Sequence, residues 1–262
     1  MSTDKMIARK ADGIGWMVFN NPERHNAVSL EMWEAAIGII ADFRRDAAVR
    51  VIVVCGAGEK SFISGADISK FDDERAEQDA VSRYDAATEG AYSALLTAPK
   101  PTIAMIQGYC IGGGANLAVC CDLRICSENA KFAIPAAKLG LGYGYTRVSR
   151  LLDVVSPAFA KEIFFTARHF TAEEARIMGL VNRVVPQAEL EAYVTDYARQ
   201  IAANAPLTVA SIKQIVGEAV KDPETRDIGL CDRLVRECFE SQDYAEGRRA
   251  FAEKRQPVFQ GR

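Results

Sequence analysis

The stretch from Pro101 to Asp122 constrains the fold of this chain more than any other part of the sequence. It reads P-T-I-A-M-I-Q-G-Y-C-I-G-G-G-A-N-L-A-V-C-C-D. The β-branched, nearly all-apolar run at 102–106 predicts a buried strand, and the small residues after the three glycines predict a buried helix. Because glycine has no side chain, amides of the first helical turn can approach a ligand atom that carries negative charge. The turn therefore predicts an oxyanion site, or else the glycines serve only to pack the helix closely against the sheet.

Length and composition narrow the class of protein. The chain has 262 residues, 49% of them hydrophobic and 26% charged, and a net charge of −3, which is typical of a globular protein with one large core. This charge argues against a nucleic-acid partner, and no apolar run approaches the roughly 18 residues that a membrane span requires. The start of the chain has no apolar signal segment, so we predict a cytoplasmic protein. The two histidines, His25 and His169, stand far apart and outside any zinc-binding pattern, so no metal site is predicted.

Hydrophobic periodicity predicts strands and helices in alternation. A strand at 14–19, a helix from Ser29 to about Phe43 and a strand at 49–55 form a βαβ unit, and further strands are expected at 123–126 and 131–134. Segments 56–71 and 135–150 are predicted to be loop-like, with a helix at about 74–97. Later helices are expected after Ser156 and after Thr171, and then at 190–203, 207–220, 226–239 and 244–254. The prediction is an α/β core at 1–200 followed by a helical region at 201–262.

Several short motifs occur in a characteristic order. They are N-P-x-x-x-N-A at 21–27, S-G-A-D-I at 64–68, K-P-x-I-A-x-I-x-G-Y-x-x-G-G-G at 100–114, C-D-L-R at 121–124, F-T-A-R at 165–168, A-x-x-x-G-L-V-N-x-V-V at 175–185 and E-G-x-x-A-F-x-E-K-R-x-P-x-F at 246–259. With these motifs the chain resembles the crotonase (enoyl-CoA hydratase/isomerase) superfamily from about residue 14 to residue 259. The resemblance implies a spiral of ββα turns in two stacked sheets and a helical C-terminal region that builds trimers or pairs of trimers. It also implies an acyl-CoA thioester as ligand, with no cofactor beyond the coenzyme A of the substrate.

The resemblance also implies two backbone donors for the thioester oxygen. By their positions in the motifs these are the amides of Ala66 and Gly113. When the α-carbon of a thioester reacts, its carbonyl becomes an enolate oxyanion, and losing one backbone donor typically costs about 10²–10³ in rate. An ordinary turn is the alternative role for Ala66.

Contacts to coenzyme A follow from the same resemblance. The expected residues are Arg24 and His25 after the N-P turn, Ser64, Gly65, Asp67 and Ile68 around Ala66, and, from a neighbouring subunit, Phe251 and Lys254. Cations suit a 3′-phosphate. An exposed arginine or lysine can equally be a solvated surface charge.

The chemistry departs from the family pattern at two positions. Hydratases resembling the type member use two glutamates, and the matching positions here hold Asn116 and Ala136. Tyr143 falls where acyl-CoA decarboxylases of the superfamily carry a tyrosine. Tyr143 is therefore a candidate to orient the substrate or donate a proton, with Asn116 beside it; alternatively, the tyrosine covers the acyl group and Asn116 braces the glycine turn.

Three functions remain open from the sequence. The first is an enzyme of the enoyl-CoA hydratase/isomerase type that acts through an unidentified polar group. The second is a decarboxylase-type lyase that uses Tyr143. The third is a CoA-binding protein without catalytic activity.

Overall fold

A six-stranded sheet forms the centre of the computed structural model, which describes residues 3–67 and 78–262. Its order is β1-β2-β3-β5-β7-β10, and every neighbouring pair is parallel except the antiparallel β1 and β2. These strands are β1 Met6–Ala11, β2 Ile14–Phe19, β3 Val51–Gly56, β5 Thr102–Ile106, β7 Leu123–Ser127 and β10 Arg183–Val185.

A second sheet has four strands in the order β4-β6-β8-β9 within the described residues. They are β4 Ser61–Ile63, β6 Tyr109–Ile111, β8 Lys131–Ala133 and β9 Phe170–Thr171. The strand β6 pairs in parallel with β4 and β8, and β9 closes the edge in the antiparallel direction. Successive strands of the chain thus alternate between the two sheets from β3 to β8.

The central sheet is covered on both faces. In β3, Ile52 and Val54 belong to the larger hydrophobic core, whereas Val51, Val53 and Cys55 belong to a separate core on the other side. Side chains alternate across a strand, so a strand buried on both faces is apolar at nearly every position. This explains the continuous apolar run that predicted β3.

Helices cover both faces and extend the chain at its C-terminal end. In the described part of the chain they are α1 Leu30–Arg45, α2 Gln78–Leu96, α3 Gly113–Val119, α4 Tyr145–Leu152, α5 Pro157–Thr166, α6 Ala172–Ile177, α7 Leu190–Ala202, α8 Pro206–Ala219, α9 Ile228–Glu240 and α10 Gln242–Glu253. The capping box predicted at Thr171 and Glu174 is present, and the Ser156 side chain accepts the amide of Phe159 at the start of α5. None of these helices is long and apolar enough to cross a bilayer.

The structure corrects two segments that were predicted to be loops. Segment 56–71 contains β4, which is only three residues long and is held by backbone pairing with β6. Segment 135–150 contains a 3₁₀ turn at Pro135–Leu139 and most of α4. Glycines 140, 142 and 144 interrupt the apolar periodicity there, so the pattern understates the regular structure. The side chain of Ser29 bonds Glu31 and makes no cap bond to α1.

The carboxylate of Asp122 ties the C-terminal helices to the central sheet. One carboxylate oxygen of Asp122 accepts the Thr102 amide at 2.7 Å, the Thr102 hydroxyl at 2.9 Å and the Lys213 ammonium of α8 at 2.7 Å. Thr102 begins β5, which is followed by β6 and then by the glycine turn. The attachment of α8 and the start of this strand therefore share one carboxylate.

Candidate active site

A cavity of about 460 Å³ opens beside the glycine turn. Trp33 of α1 and four further segments line it: Ser64 to Ala66 after β4, one face of α2, Ile111 to Gly113 with Asn116, and parts of the segment 134–147. The predicted residues Ser64, Gly65, Ala66, Gly113, Asn116, Ala136 and Tyr143 all lie in this lining. The fold therefore gathers into one place residues that are up to about eighty positions apart in the sequence.

The peptide unit that joins Gly65 and Ala66 is held on its carbonyl side. The Gly65 carbonyl accepts the Val28 amide at 2.9 Å, and the Val28 carbonyl accepts the Asp67 amide at 3.0 Å. These two hydrogen bonds lie on either side of Ala66. The amide of Ala66 itself donates to no acceptor within residues 3–67 and 78–262. A fixed, unused N–H donor therefore borders the cavity.

The peptide unit that joins Gly112 and Gly113 is held in the same way. Its carbonyl accepts two hydrogen bonds from Asn116, one from the backbone amide at 3.1 Å and one from the side-chain Nδ2 at 3.2 Å. Gly112 has a φ of 56° and a ψ of −111°, a conformation that only glycine adopts easily. The Gly113 amide donates to no acceptor in the described part of the chain, and bonding at the carbonyl of the same peptide makes that amide a stronger donor.

The third glycine brings these two peptides together. A Cβ atom on Gly114 would lie 2.4 Å from the carbonyl oxygen of Ile63, the last residue of β4. No side chain fits at that distance, so α3 can begin against the end of β4 only if residue 114 is glycine. Both roles considered for the glycines, close packing and an oxyanion site, are thus compatible in one structure.

Tyr143 lies over the same turn and contacts Asn116. The Asn116 Nδ2 group donates a short hydrogen bond to the Tyr143 hydroxyl, and the tyrosine ring packs edge-on against Phe164 with centroids 4.8 Å apart. Burial raises the pKa of Tyr143, although the bond from Asn116 and the positive charge of Arg147 act in the opposite direction. The hydroxyl is therefore protonated at neutral pH. Asn116 both braces the turn and holds this hydroxyl.

One face of α2 contributes residues that sequence reasoning missed. The Tyr92 hydroxyl donates to the Gly113 carbonyl at 2.9 Å, and the Tyr84 hydroxyl donates to the Val28 carbonyl at 3.1 Å while accepting Trp33 Nε1 at 3.1 Å. Thr88, between them, also lines the cavity. The signal in the sequence was the spacing of four between residues 84, 88 and 92, which places polar groups on one helical face.

Burial and charge distinguish the two ends of this helical face. Complete burial raises the pKa of Tyr92 well above its ordinary value. Asp85 and Arg147 are the charged side chains of the lining within the described residues, and Arg147 Nη2 lies 3.4 Å from Asp85 Oδ1. Within residues 3–67 and 78–262, no group of three or more His, Cys, Asp or Glu side chains is arranged to hold a metal ion.

Comparison with known proteins assigns the chain to a family. The sequence model of enoyl-CoA hydratase/isomerase matches residues 9–262. The chain belongs to the enoyl-CoA hydratase/isomerase family. It is 32% identical over 257 residues to a short-chain-enoyl-CoA hydratase of Clostridium acetobutylicum, covering 97% of each chain. It is 36% identical over 242 residues to a carnitinyl-CoA dehydratase of Escherichia coli K12, covering 89% of this chain and 88% of the relative.

Solved structures agree with this family assignment. A crystal structure described as an enoyl-CoA hydratase/carnithine racemase from Magnetospirillum magneticum superposes with a TM-score of 0.94 at 35% identity, over 100% of this chain and 97% of the other. An enoyl-CoA hydratase from Bacillus anthracis gives a TM-score of 0.93 at 29% identity, over 99% of this chain and 100% of the other. The predicted crotonase fold is confirmed, and the protein is an acyl-CoA enzyme of the hydratase/isomerase family.

Five of the remaining predicted contacts of this acyl-CoA enzyme, namely Arg24, His25, Asp67, Phe251 and Lys254, lie outside the cavity lining. Arg24 Nη1 lies 3.2 Å from Asp67 Oδ1, and His25 Nδ1 lies 3.0 Å from the Ser61 hydroxyl, on the side of β4. Ile68 lies outside the described residues. Phe251 is 87% exposed at the end of α10, and Lys254 follows it in a left-handed conformation. Within one chain, the C-terminal pair does not reach the cavity.

Proposed function

We propose that this acyl-CoA enzyme is a lyase that forms a thioester enolate, held by the amides of Ala66 and Gly113. The observation that supports the proposal is the pair of unused donors on two fixed peptides at the border of one cavity. Donors that are already oriented stabilise developing negative charge without reorganising, and this is often the largest single contribution to catalysis.

We propose further that Tyr143 supplies the proton that the α-carbon takes up. Asn116 and Ala136 occupy the positions at which the resemblance places two glutamates, and neither side chain exchanges a proton at neutral pH. Asp85 is the carboxylate of the lining within the described residues, but its side chain is 56% exposed and paired with Arg147. Tyr143 carries a proton and is held by Asn116, which supports its assignment as the proton donor.

Within this proposal, decarboxylation is the reaction that the amide and methyl side chains at positions 116 and 136 favour. In this reaction the bond between the α-carbon and a carboxylate breaks, CO₂ leaves, and the electron pair enters the enolate. The α-carbon then takes the Tyr143 proton, and solvent returns a proton to the phenolate. No general base is required, whereas hydration of a double bond gains roughly 10²–10⁴-fold from one.

The test is to incubate the protein in D₂O with crotonyl-CoA and, separately, with methylmalonyl-CoA. We expect CO₂ release and deuterium at the α-carbon of the product, both strongly reduced in Tyr143→Phe. Loss of the enoyl absorbance without CO₂ release would instead support hydration. Thermal stabilisation by acyl-CoA without turnover of either substrate would refute the enolate proposal and leave a CoA-binding protein.

We also propose that the protein assembles through its C-terminal helices as a trimer or a pair of trimers. Large apolar side chains of α8 to α10 are exposed, among them Val216, Phe239 and Phe251, and a groove of about 690 Å³ runs between these helices and Phe259. Contiguous apolar surface of this kind marks an interface. In such an assembly Phe251 and Lys254 would meet the nucleotide end of a neighbour's acyl-CoA, and Arg24, His25, Asp67 and Ile68 would contact it from the binding subunit.

Light scattering after size-exclusion chromatography tests the assembly. We expect a mass of three or six chains for the wild type and a smaller species for Phe239→Glu. Arg199→Gln, a change at an exposed site on α7, serves as the control. A monomeric wild type would contradict the proposal.

A further inference from the structure

Arg147 is the cation of the cavity lining in the described part of the chain. It lies in the first turn of α4, four residues after Tyr143 in sequence, and both side chains border the same space. Its partner Asp85 comes from α2. The cavity wall is thus polar and charged at this place, although most of its remaining lining is apolar or backbone.

The pairing of Arg147 with Asp85 leaves the guanidinium available for a ligand. The contact is a single one of 3.4 Å, and the side chains are 27% and 56% exposed. Exposed ion pairs of this geometry contribute little to stability, and a guanidinium has several further N–H donors in a planar fork. Asp85 can therefore turn toward solvent at small cost when another anion approaches Arg147.

The neighbouring arginine of α4 provides a contrast. Arg150 bonds Glu89 of α2, its side chain is only 11% exposed, and its guanidinium lies 5.9 Å from the ring centroid of Tyr92. Arg150 and Glu89 lie outside the cavity lining. The two helices are therefore also joined by a second ion pair, in which the arginine is more deeply buried than Arg147.

The charge of Arg147 reaches the interior of the cavity. It lowers the pKa of both Tyr143 and Tyr92 against the larger effect of burial. An anion inside the cavity is therefore favoured over a cation.

We propose that the acyl group of the substrate carries an ionised carboxylate, which displaces Asp85 and binds the guanidinium of Arg147. The inference rests on the proposed function, because it takes the thioester to lie at Ala66 and Gly113. Arginine and carboxylate form paired, charge-assisted hydrogen bonds, which are among the stronger polar contacts in proteins.

The experiment compares dissociation constants of acyl-CoA probes with matched carbon number. Malonyl-, succinyl- and glutaryl-CoA are each paired with propionyl-, butyryl- and pentanoyl-CoA, and chromatography after each titration verifies that the thioester and carboxylate are intact. We expect the wild type to bind at least one carboxylated probe about tenfold more tightly than its neutral match. Equal affinities in all three pairs would overturn the inference.

Four variants distinguish recognition from a structural role. Arg147→Gln should abolish the preference and Arg147→Lys should retain part of it, whereas Asp85→Asn should strengthen it by removing a competitor. Arg150→Gln, which breaks the other link between α2 and α4, should lower the melting temperature and leave the preference intact. The inference fails if Arg147→Gln keeps the preference, or if Asp85→Asn and Arg150→Gln lose it as Arg147→Gln does. Should Arg147→Gln not fold, Asp85→Asn and Arg147→Lys still decide the outcome.

This binding experiment is independent of the enolate proposal. If the wild type shows no preference for carboxylated probes, turnover and α-deuteration still decide the enolate proposal. Conversely, absence of turnover with a clear preference would refute the enolate proposal and leave the recognition of a carboxylate standing.

Discussion

The cavity has two walls of different construction. We call Ser64 to Ala66 with Gly112 and Gly113 the backbone wall, because its polar groups toward the cavity are main-chain amides. We call Tyr84, Asp85, Thr88, Tyr143 and Arg147 the side-chain wall. The backbone wall is fixed by β-bridging and by the start of α3, whereas the side-chain wall depends on which residues α2 and the segment 135–147 happen to carry.

The difference separates two parts of the proposed function. Backbone amides can stabilise an oxyanion whatever the acyl group is, so the backbone wall sets the class of intermediate. In the two proposals, the side-chain wall supplies the proton and selects the acyl group. Changes in the two walls should therefore have different kinetic signatures.

The largest effect should come from adding a side chain at Gly114, where α3 begins against the end of β4 and next to the backbone wall. Gly114→Ala places a Cβ about 2.4 Å from the Ile63 carbonyl, so β4 and α3 must separate. We expect a loss of roughly 3 kcal/mol or more in the free energy of unfolding, or no folded protein. Denaturant unfolding measures this. Gly142→Ala is the matched control, since a Cβ there meets nothing within 4 Å, and equal stability of the two variants would contradict the packing argument.

The next effect is on Tyr143, the proposed proton donor of the side-chain wall. Tyr143→Phe removes one oxygen atom and should lower kcat by about 10²–10⁴ with little change in KM, because general acid catalysis is lost while the ring still packs on Phe164. Steady-state kinetics checks this. Tyr145→Phe changes a residue that is 86% exposed and should be neutral. An unchanged kcat in Tyr143→Phe would assign the proton to another group.

A smaller effect is expected at Asn116, which contacts the backbone wall at Gly112 and the side-chain wall at Tyr143. Asn116→Asp keeps the shape of the side chain but replaces its donor by a carboxylate, which cannot donate to the Gly112 carbonyl or the Tyr143 hydroxyl. We expect kcat to fall by roughly ten- to a hundredfold, since a buried acceptor is left facing an acceptor. A fall confined to KM would show that residue 116 acts in binding alone.

The smallest expected effect is on the pH dependence of the free energy of unfolding. Burial raises the pKa of Tyr143 above the ordinary value of 10.0, so the hydroxyl ionises more readily in the unfolded chain than in the folded protein. The stabilising contribution is complete below the ordinary value and is lost as pH rises through the folded value. Unfolding measured between pH 8 and pH 11 should show a steeper loss of stability in the wild type than in Tyr143→Phe. A steeper loss of stability in Tyr143→Phe would show that folding lowers the pKa of Tyr143 instead of raising it.

Sequence reasoning predicted the backbone wall better than the side-chain wall. The strand β5, the glycine turn and the helix α3 all lie within 101–122, so local pattern predicts them, whereas the short strand β6 between β5 and the turn was missed. Ala66 and Gly113 were singled out by the family motifs. The interactions of Tyr84 and Tyr92 depend on the packing of α2 against Trp33 and the glycine turn, which no local pattern describes. The α4 helix, which carries Arg147, was missed because glycines precede it. The catalytic and binding roles of all these residues stay predictions.

The bridging amide of Asn116 has an evolutionary consequence. One side chain holds both the donor peptide at Gly112 and the hydroxyl of Tyr143, so the fitness effect of a mutation at either position depends on the residue at the other. A double-mutant cycle between positions 116 and 143 should be strongly non-additive. Drift toward a different chemistry on this scaffold would then proceed by paired replacement, with single-step intermediates of low activity.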